Sequence, residues 1–279
     1  MTTVDTTATA PVVRSPAVSS WRAVLLVMEH FWTWYRRNWR ATIVGSVVEP
    51  LLFLVAFGLG FAVLVNNGGR LAELTGGLPY IVWLAPALLT MNTLQIATFE
   101  SSYPVVSGFK WQRIYWAITA TPVTAAQAGV GHLSWIAVRM LTSGVVYVAI
   151  LVPFGGVRDG GIVVSLLAAT LCGAAFAAPV MAFATVVRKE GPAFGALFRF
   201  VLIPMTLFSG TFFPVDALPV WVRPLAWATP LWHGTELARG AALGSLQLWP
   251  SVGHLAYLVV LLVVGVLLVQ RQFRARLYR

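Results

Sequence analysis

Two ionisable residues, Glu49 and Arg139, lie deep inside apolar stretches of the sequence. A charged side chain at the centre of a bilayer costs at least about 2.5 kcal/mol, so it normally faces a partner or a polar cavity. Counted at about 1.5 Å per residue from the inner ends of their helices, Glu49 lies about 12 Å deep and Arg139 about 21 Å deep. A structural ion pair between them is the favoured interpretation, and contact with a substrate headgroup is the alternative.

The four histidines do not form a recognisable metal site or catalytic site. His30, His132, His233 and His254 fall in different segments and in opposite halves of the membrane. His233 and Glu236 have an i, i+3 spacing, but no third ligand is near them in the sequence, so we predict no bound metal. An enzyme that acts on a lipid-linked sugar is disfavoured too, because the predicted outer loops carry few acidic residues that could hold a metal.

The lysines argue against ATP binding by this chain. A phosphate-binding loop of the form GxxxxGK[ST] needs a lysine followed by Ser or Thr, whereas Lys110 is followed by Trp and Lys189 by Glu. We therefore predict that the chain binds no cofactor, and that any ATP it depends on is hydrolysed by another polypeptide.

Membrane-spanning helices must position these residues, because the composition is too apolar for a water-soluble core. Of the 279 residues, 58% are hydrophobic and 10% are charged, and the mean hydropathy is +0.81. A crossing helix needs about 20 apolar residues. Six stretches approach this length, namely about 41–65, 79–99, 125–152, 161–187, 193–212 and 251–270. The sequence therefore predicts an all-α integral membrane protein with a six-helix domain over 41–270.

Basic residues predict the orientation, because they favour the cytoplasmic side of short loops. With the N-terminus inside, thirteen lysines and arginines fall in inner segments and four in outer ones. Both termini are therefore predicted to be cytoplasmic in a bacterial inner membrane, residues 1–20 as a disordered tail and 271–279 as a basic tail. The net charge of +10 reflects this asymmetry and contact with anionic lipid, and we predict no nucleic-acid partner.

Residues 21–40 are predicted to form an amphipathic helix that lies in the inner membrane interface. Aromatic and apolar residues recur there at steps of four and three on one face, and arginines lie on another. The alternative is a simple cytoplasmic extension of the first span. The residues assigned to the interface are Trp21, Trp32, Tyr35, Arg36, Arg37 and Trp39.

The longest inward loop, residues 100–122, has a mixed surface. It bends at Pro104 and Gly108, which leaves room for one short helix after them. Its aromatic content is too high for a freely solvated loop, and Lys110 and Arg113 supply charge. A docking element for a partner or a lipid surface is favoured. Packing against its own bundle is the alternative.

Residues 213–230 are apolar but contain four prolines. Irregular backbone lies at membrane depth only where protein buries it or where it lines a wet cavity. We therefore predict a re-entrant pair of short helices over about 213–242, the first descending near Asp216 and the second climbing back over about 229–242. An ordinary outer loop is the alternative, but it would expose several tryptophans to water.

The order of these features resembles the permease subunit of type-2 ATP-binding-cassette (ABC-2) exporters, in particular the nodulation-factor and daunorubicin-resistance permeases. The resemblance covers the chain from about residue 21. Its most specific part is FSGTFFPVDALPVWVRPLAWATPLWHGTELARG at 208–240, and TFESSYPVVSGFKWQRIYWAITATP at 98–122 supports it. Ile114 departs from the Thr that often follows Gln-Arg in nodulation-type permeases, which weakens the case for their lipo-oligosaccharide substrate.

The resemblance implies specific partners. It implies an export channel made by two copies of this chain, or by this chain and a similar one, with two cytoplasmic ATPase subunits that hold ATP and Mg²⁺ and grip a coupling helix at about 101–121. The residues that it assigns to ATPase coupling are Glu100, Tyr103, Lys110, Gln112, Arg113 and Thr121. Those assigned to the substrate pathway or gate are Glu49, Arg139, Phe212, Phe213, Pro214 and Asp216.

The expected function is therefore ATP-driven export of an amphipathic substrate, such as a lipid-linked glycan, a glycolipid or a hydrophobic drug. The alternative is an ion-driven secondary transporter or channel, which typically has broken helices in matching positions of two halves. In this sequence the proline-broken region occurs once, near the C-terminal end.

Overall fold

The computed structural model describes residues 19–40, 77–187 and 189–278, together with positions 48, 51–53, 55–56 and 60. Most of the predicted N-terminal tail, most of the predicted first span at about 41–65, and Glu49 lie outside the described residues. Within these ranges the secondary structure is helical, as the composition predicts.

Eleven α-helices, numbered here in chain order, form the described part of the protein. The first six are α1 (Ser20–Arg37), α2 (Tyr80–Glu100), α3 (Tyr103–Lys110), α4 (Ile114–Thr119), α5 (Ala125–Leu151) and α6 (Gly161–Val186). The remaining five are α7 (Glu190–Leu197), α8 (Ile203–Phe208), α9 (Arg223–Trp227), α10 (Pro230–Leu243) and α11 (Leu248–Leu277). A π-helical turn, Phe198–Leu202, joins α7 to α8.

Among the described residues, five helical stretches are long and apolar enough to cross a membrane. They are Tyr80–Lys110, Ala125–Phe154, Gly161–Val186, Glu190–Phe208 and Leu248–Leu277. These stretches confirm five of the six predicted spans, although the helices extend beyond several of the predicted bounds. The sixth, about 41–65, lies largely outside the described residues.

Local sequence determines where several helices begin and end. At the start of α5, the amide of Gln127 donates to the Thr124 hydroxyl and the amide of Thr124 donates to the Gln127 side chain, which forms a capping box. The helix α10 begins at Pro230, after the N-cap Thr229, and ends at Gly244, which has a φ of 67°. Proline in the first turn and glycine after the last turn are the residues that favour these two ends.

The helix α6 is central to the bundle, since it packs against α2, α5, α10 and α11. Its small residues allow close approach: a Cβ on Gly173 would lie 2.4 Å from the Met140 sulfur. Polar contacts also join the spans, because the Thr93 hydroxyl donates to the Ala169 carbonyl at 2.9 Å. Small residues and interhelical hydrogen bonds are the typical means of helix association in membranes.

The predicted amphipathic helix at 21–40 exists as α1 and packs against α5. Ala23 and Val27 are buried in this contact, and Phe31 packs beside them. The aromatic residues Trp21 and Trp34 are 69% and 62% exposed. Exposed tryptophans suit the predicted interfacial position, which stays a prediction.

The predicted re-entrant region is only partly a pair of helices. The first limb consists of a 3₁₀ helix, Val215–Ala217, and the five-residue helix α9, so the short helix predicted near Asp216 is present only as two separate pieces. Prolines at 214, 219 and 224 explain the difference, because each removes a backbone donor and restricts the preceding residue. The second limb, α10, agrees with the predicted helix over about 229–242.

The helix α10 lies among spans rather than in an outer loop. It packs against α2, α6 and α11. Pro230 at its start receives a hydrogen bond from Cys172, whereas a Cβ on Gly161 would collide with the Ala241 carbonyl near its end. Cys172 is about 16 Å along α6 from Gly161. The start of α10 is therefore about 16 Å deeper beside α6 than the end of α10.

Candidate functional site

The predicted coupling region, residues 101–121, folds as two short helices instead of one. The break between α3 and α4 falls at Arg113, which has a left-handed backbone with a φ of 52°. Pro104 and Gly108 were predicted to be bends, but both are inside α3. Proline is tolerated in the first turn, where its missing amide hydrogen would have no partner. Gly108 is required by packing, since a Cβ there would lie 2.6 Å from the Tyr115 ring.

Tyr115 anchors this corner to the bundle. Its side chain is buried, and its hydroxyl lies 2.5 Å from Nδ1 of His132 on α5. The His132 ring in turn stacks on Phe31 of α1 at a centroid distance of 4.2 Å, and the Tyr115 ring also contacts Phe273 of α11. Burial raises the pKa of the Tyr115 hydroxyl far above its ordinary value, so it stays protonated. The α4 helix is therefore fixed to α1, α5 and α11.

The tip of the corner is exposed. Gln112, Arg113 and Thr121, three of the residues assigned to ATPase coupling, are exposed together with Trp111 and Trp116. Packing against its own bundle, the alternative interpretation of this loop, therefore accounts for Phe109 and Tyr115 but leaves the two tryptophans uncovered.

Two other residues assigned to coupling contact the start of α7. The Lys110 ammonium lies 2.6 Å from the Glu190 carboxylate, and the Tyr103 ring contacts Phe194 at a centroid distance of 4.8 Å. These contacts join the coupling corner to the fifth predicted span. The particular residues that meet here could not be predicted, because nothing in the sequence connects 103–110 with 190–194.

The sixth residue assigned to coupling, Glu100, lies inside the bundle. Glu100 is the last residue of α2, and α3 ends ten residues later. The Glu100 carboxylate lies 3.2 Å from the Arg139 guanidinium. The Arg139 guanidinium also lies 4.5 Å from the centre of the Tyr35 ring, so α1, α2 and α5 meet there. Arg139 thus has a carboxylate partner, but this is Glu100. The predicted partner, Glu49, lies outside the described residues, and that pair stays a prediction.

The residues assigned to the interface divide into two sets. Trp21, Trp32, Arg36, Arg37 and Trp39 are exposed, in agreement with contact to surrounding lipid. Tyr35 differs, because it is half-buried and its ring lies against the Arg139 guanidinium. Both Tyr35 and Trp32 contact Trp135 of α5.

Arg239 on α10 is buried, although the predicted topology places it among the four basic residues of the outer segments. Its guanidinium lies 3.8 Å from the centre of the Trp83 ring and 3.2 Å from the Glu236 carboxylate. It also donates to the Gly210 carbonyl at 2.9 Å. Buried charges need such compensation. The sequence does contain a signal that α10 is a packed helix, since Leu231, Thr235, Ala238 and Ala242, which are all buried, recur at steps of four and three.

The residues predicted to form a gate lie beside this cluster. The Phe212 carbonyl accepts a hydrogen bond from Tyr80 at 2.9 Å. Phe213 packs against the small apolar cluster that contains Val215, while Pro214 immediately precedes the 3₁₀ turn. Asp216 is exposed, and its carbonyl accepts a hydrogen bond from Arg223 at 2.6 Å. The four residues are therefore neighbours at one end of the bundle, whereas Arg139 lies elsewhere.

Two histidines that the sequence placed apart lie together. Nδ1 of His233 is 2.8 Å from Nδ1 of His254, and the His233 ring stacks on Tyr257 at 3.9 Å. The sequence placed them in different segments, and they meet because α10 re-enters the bundle and packs beside α11. In the described part of the chain, no group of three or more His, Cys, Asp or Glu residues could hold a metal ion.

A bundle of apolar spans with a re-entrant helix and an exposed two-helix corner at one end is the architecture of a helical integral membrane protein. Residues 22–243 match the model of the ABC-2 type transporter family, and the chain belongs to that family. Members of the family are membrane-spanning permeases and are not themselves enzymes, so the match confirms the resemblance to ABC-2 permeases and gives no support to an ion-driven transporter.

Curated relatives agree with the family. Nodulation protein J of Rhizobium leguminosarum bv. viciae is 29% identical over 255 residues, which cover 88% of this chain and 94% of the relative. Nodulation protein J of Rhizobium meliloti (strain 1021) is 28% identical over 227 residues, covering 77% and 82%. That of Sinorhizobium fredii (strain NBRC 101917 / NGR234) is 29% identical over 225 residues, covering 76% and 82%.

Proposed function

We propose that this chain is the permease subunit of an ATP-driven exporter in the bacterial inner membrane, with both termini in the cytoplasm. It moves an amphipathic substrate outward, a lipid-linked glycan, a glycolipid or a hydrophobic drug. Two cytoplasmic ATPase subunits bind ATP and Mg²⁺, and a second permease copy or a similar chain completes the channel.

The observation that carries this proposal is the construction of the α3–α4 corner. Exposed aromatic and polar residues at its tip, among them Trp111 and Arg113, offer a docking surface. Tyr115 fixes the corner to α1, α5 and α11. A push on the tip by closing ATPase subunits would therefore move several helices at once.

The pair of Lys110 and Glu190 extends this connection to the fifth span. Because both side chains are partly exposed, the pair contributes little to stability. Its proposed role is to transmit movement of α3 to α7. The residues near Phe212, at the opposite end of the bundle, would then act as the outer gate.

The first test is mass spectrometry of complexes purified gently from native membranes through a tag on this chain. Equal copy numbers of this chain and an ATPase subunit would support the proposal. Recovery of this chain without an ATPase in several mild detergents would count against it.

A second test uses Arg113→Glu in the reconstituted complex, with ATPase activity measured against a panel of glycolipids and amphiphilic drugs. We expect folding and assembly on size exclusion to be retained and substrate-stimulated ATPase activity to be lost, because the substitution reverses the exposed charge at the corner. Arg274→Glu is the matched control, since Arg274 is exposed near the C-terminus. Normal stimulation in Arg113→Glu would remove the corner from the mechanism.

A further inference from the structure

The last turns of α11 reach the coupling corner. The helix continues through Leu277, into the residues that the sequence predicts as a basic cytoplasmic tail. Phe273 and Leu277 belong to a buried apolar cluster that includes both helices of the corner. The centre of the Phe273 ring lies 5.0 Å from that of Phe109 on α3 and 4.9 Å from that of Tyr115 on α4. The end of α11 therefore packs against α3 and α4 together.

Arg276 joins the corner to the end of α6. Its guanidinium carbon lies 4.3 Å from the centre of the Phe109 ring, and its Nη1 donates a hydrogen bond to the Thr185 carbonyl. The helix α6 ends at Val186, so this carbonyl is one of the last four, which have no partner within the helix. A cation at a helix C-terminus is also favoured by the helix dipole. One guanidinium thus contacts α3 and α6 at the same time.

Tyr278 joins the same segment to the start of α5. The Ala125 amide donates a hydrogen bond to the Tyr278 hydroxyl at 3.0 Å. Ala125 is the first residue of α5, and its amide is one of the four that a helix leaves without an internal acceptor. The capping box already engages the amides of Thr124 and Gln127. Tyr278 therefore supplies a third partner for the start of α5.

The neighbouring arginines of α11 do not share this arrangement. Arg271 and Arg274 are exposed, as expected for residues that face anionic headgroups. Arg276 is half-buried and lies against a ring and a carbonyl. A positive charge at any of these three positions would favour the same orientation of the span. The inward position of Arg276 therefore needs another explanation than topology.

We propose that Arg276 and Tyr278 form a C-terminal clasp that positions the coupling corner on α5 and α6. The inference rests on the proposed export function and deepens it, because a push on the corner moves the spans only if the corner cannot slide past them. Both are positioning residues, since they act through α3 and through the ends of α5 and α6.

Hydrogen exchange of the purified full chain in lipid nanodiscs, read by mass spectrometry of its peptides, tests the clasp without an ATPase. Arg276→Met keeps an apolar side chain and removes the charge and the donors. Because hydrogen bonds of charged groups are the stronger ones, exchange in α3 should become at least about tenfold faster. Peptides from the middle of α2 should be unchanged. Arg274→Met is the matched control and should exchange like the parent throughout.

A second variant, Tyr278→Phe, removes only the hydroxyl. It should speed exchange in the first turn of α5 by about fivefold, as expected for one uncharged hydrogen bond. Tyr257→Phe makes the same change at the other end of α11, where the hydroxyl donates to the Ala228 carbonyl at 2.7 Å. This control should leave the first turn of α5 like the parent. Exchange at that turn that is equal in the two variants would remove Tyr278 from the clasp.

Two results for Arg276→Met would overturn the proposal. Exchange in α3 that equals the parent would show that the contacts do not hold the corner. An equal rise in every peptide would show a general loss of stability instead of a local role.

The complex with its ATPase tests the positioning role itself. Trapping with Mg²⁺, ATP and vanadate should change the exchange of α5 and α6 in the parent and in Arg274→Met, but not in Arg276→Met. A general loss of stability would not remove this difference between the trapped and the free complex. A change in Arg276→Met as large as that in the parent would overturn the positioning role.

Exchange in the isolated chain needs no ATPase, so the clasp fails independently of the export proposal. A complex that contains an ATPase, but in which Arg276→Met changes no exchange in α3, would leave the export function and remove the clasp. A chain that recruits no ATPase would remove ATP-driven export, and with it the role of the clasp in coupling, even if α3 is loosened by Arg276→Met.

Discussion

At the residue scale, three arginines that enter the described bundle lie against aromatic rings. Arg139 lies over Tyr35, Arg239 over Trp83 and Arg276 over Phe109, at 4.5, 3.8 and 4.3 Å from the ring centres. The planar, weakly hydrated guanidinium suits this position better than the compact ammonium of lysine. Ring contact lowers the cost of burying the charge, and a carboxylate or a carbonyl completes each site.

The pair of Glu100 and Arg139 gives a prediction at this scale. Glu100→Gln should lower the free energy of unfolding by about 2 kcal/mol, because it leaves a partly buried guanidinium without its countercharge. In the Glu100→Gln background, Arg139→Gln should cost less than it does alone, since no unpaired charge remains. Unfolding in mixed micelles with increasing dodecyl sulfate measures both effects.

Glu29→Gln is the control for that pair, because Glu29 is exposed on α1 and should change stability by less than about 0.5 kcal/mol. Strictly additive effects of Glu100→Gln and Arg139→Gln would contradict an energetic coupling between the two residues.

At the element scale, helices that are long apolar runs could be predicted from sequence, and corners could not. The bounds of α5 and α6 agree closely with the predicted 125–152 and 161–187, because Thr124, Gly155 and Gly160 mark their ends. The break at Arg113 has no glycine or proline to reveal it. The sequence predicts that Glu100 begins a loop, because it follows an apolar run. The contact of its carboxylate with Arg139 depends on how α2 and α5 pack.

The re-entrant region shows the same limit. Its existence followed from apolar residues broken by prolines, and α10 has nearly the predicted bounds. Which residues meet across it could not be predicted, because the contacts of Arg239 and His233 depend on the depth at which α10 re-enters. Gly234 fixes that depth, since a Cβ there would lie 2.5 Å from the Cys172 sulfur.

Two glycines therefore give a prediction at the element scale. Gly234→Ala should lower the free energy of unfolding by about 1–3 kcal/mol, because overpacking forces α10 away from α6. Gly253→Ala makes the same chemical change on α11, where no atom lies within 4 Å of the added carbon. Alanine should raise stability there by up to about 1 kcal/mol through helix propensity.

Thermal unfolding of both glycine variants in the same detergent measures their changes in stability relative to the parent. The two changes should be opposite in sign. Equal changes in the two variants would contradict a close contact between α10 and α6.

At the scale of the whole molecule, the spans differ in how much of their surface the protein itself covers. In the most apolar window of each stretch, 83% of the residues are buried for Tyr80–Lys110, against 11% for Glu190–Phe208 and 17% for Leu248–Leu277. The second predicted span is therefore largely enclosed by its own chain. Among the described spans, the fifth and the last have surfaces that lipid or a second copy must cover.

Arg199 distinguishes these two surfaces. It is exposed in the π-helical turn of the fifth span, among exposed apolar residues such as Phe200 and Ile203. A guanidinium about 13 Å along the span from Glu190 is costly against hydrocarbon. The exposed face of α11 between Val252 and Leu268 carries no charge. We therefore expect a second copy to pack against the fifth span rather than against α11.

Cross-linking in native membranes tests this arrangement. Phe200 is 78% exposed, and Val263 on α11 is 51% exposed, so either can carry a cysteine without disturbing the core. The native Cys172 is buried and should not react. We expect Phe200→Cys to give a reducible dimer with copper phenanthroline, because residues near a two-fold axis meet their own copies. Val263→Cys should stay monomeric, and the reverse result would place the second copy on α11.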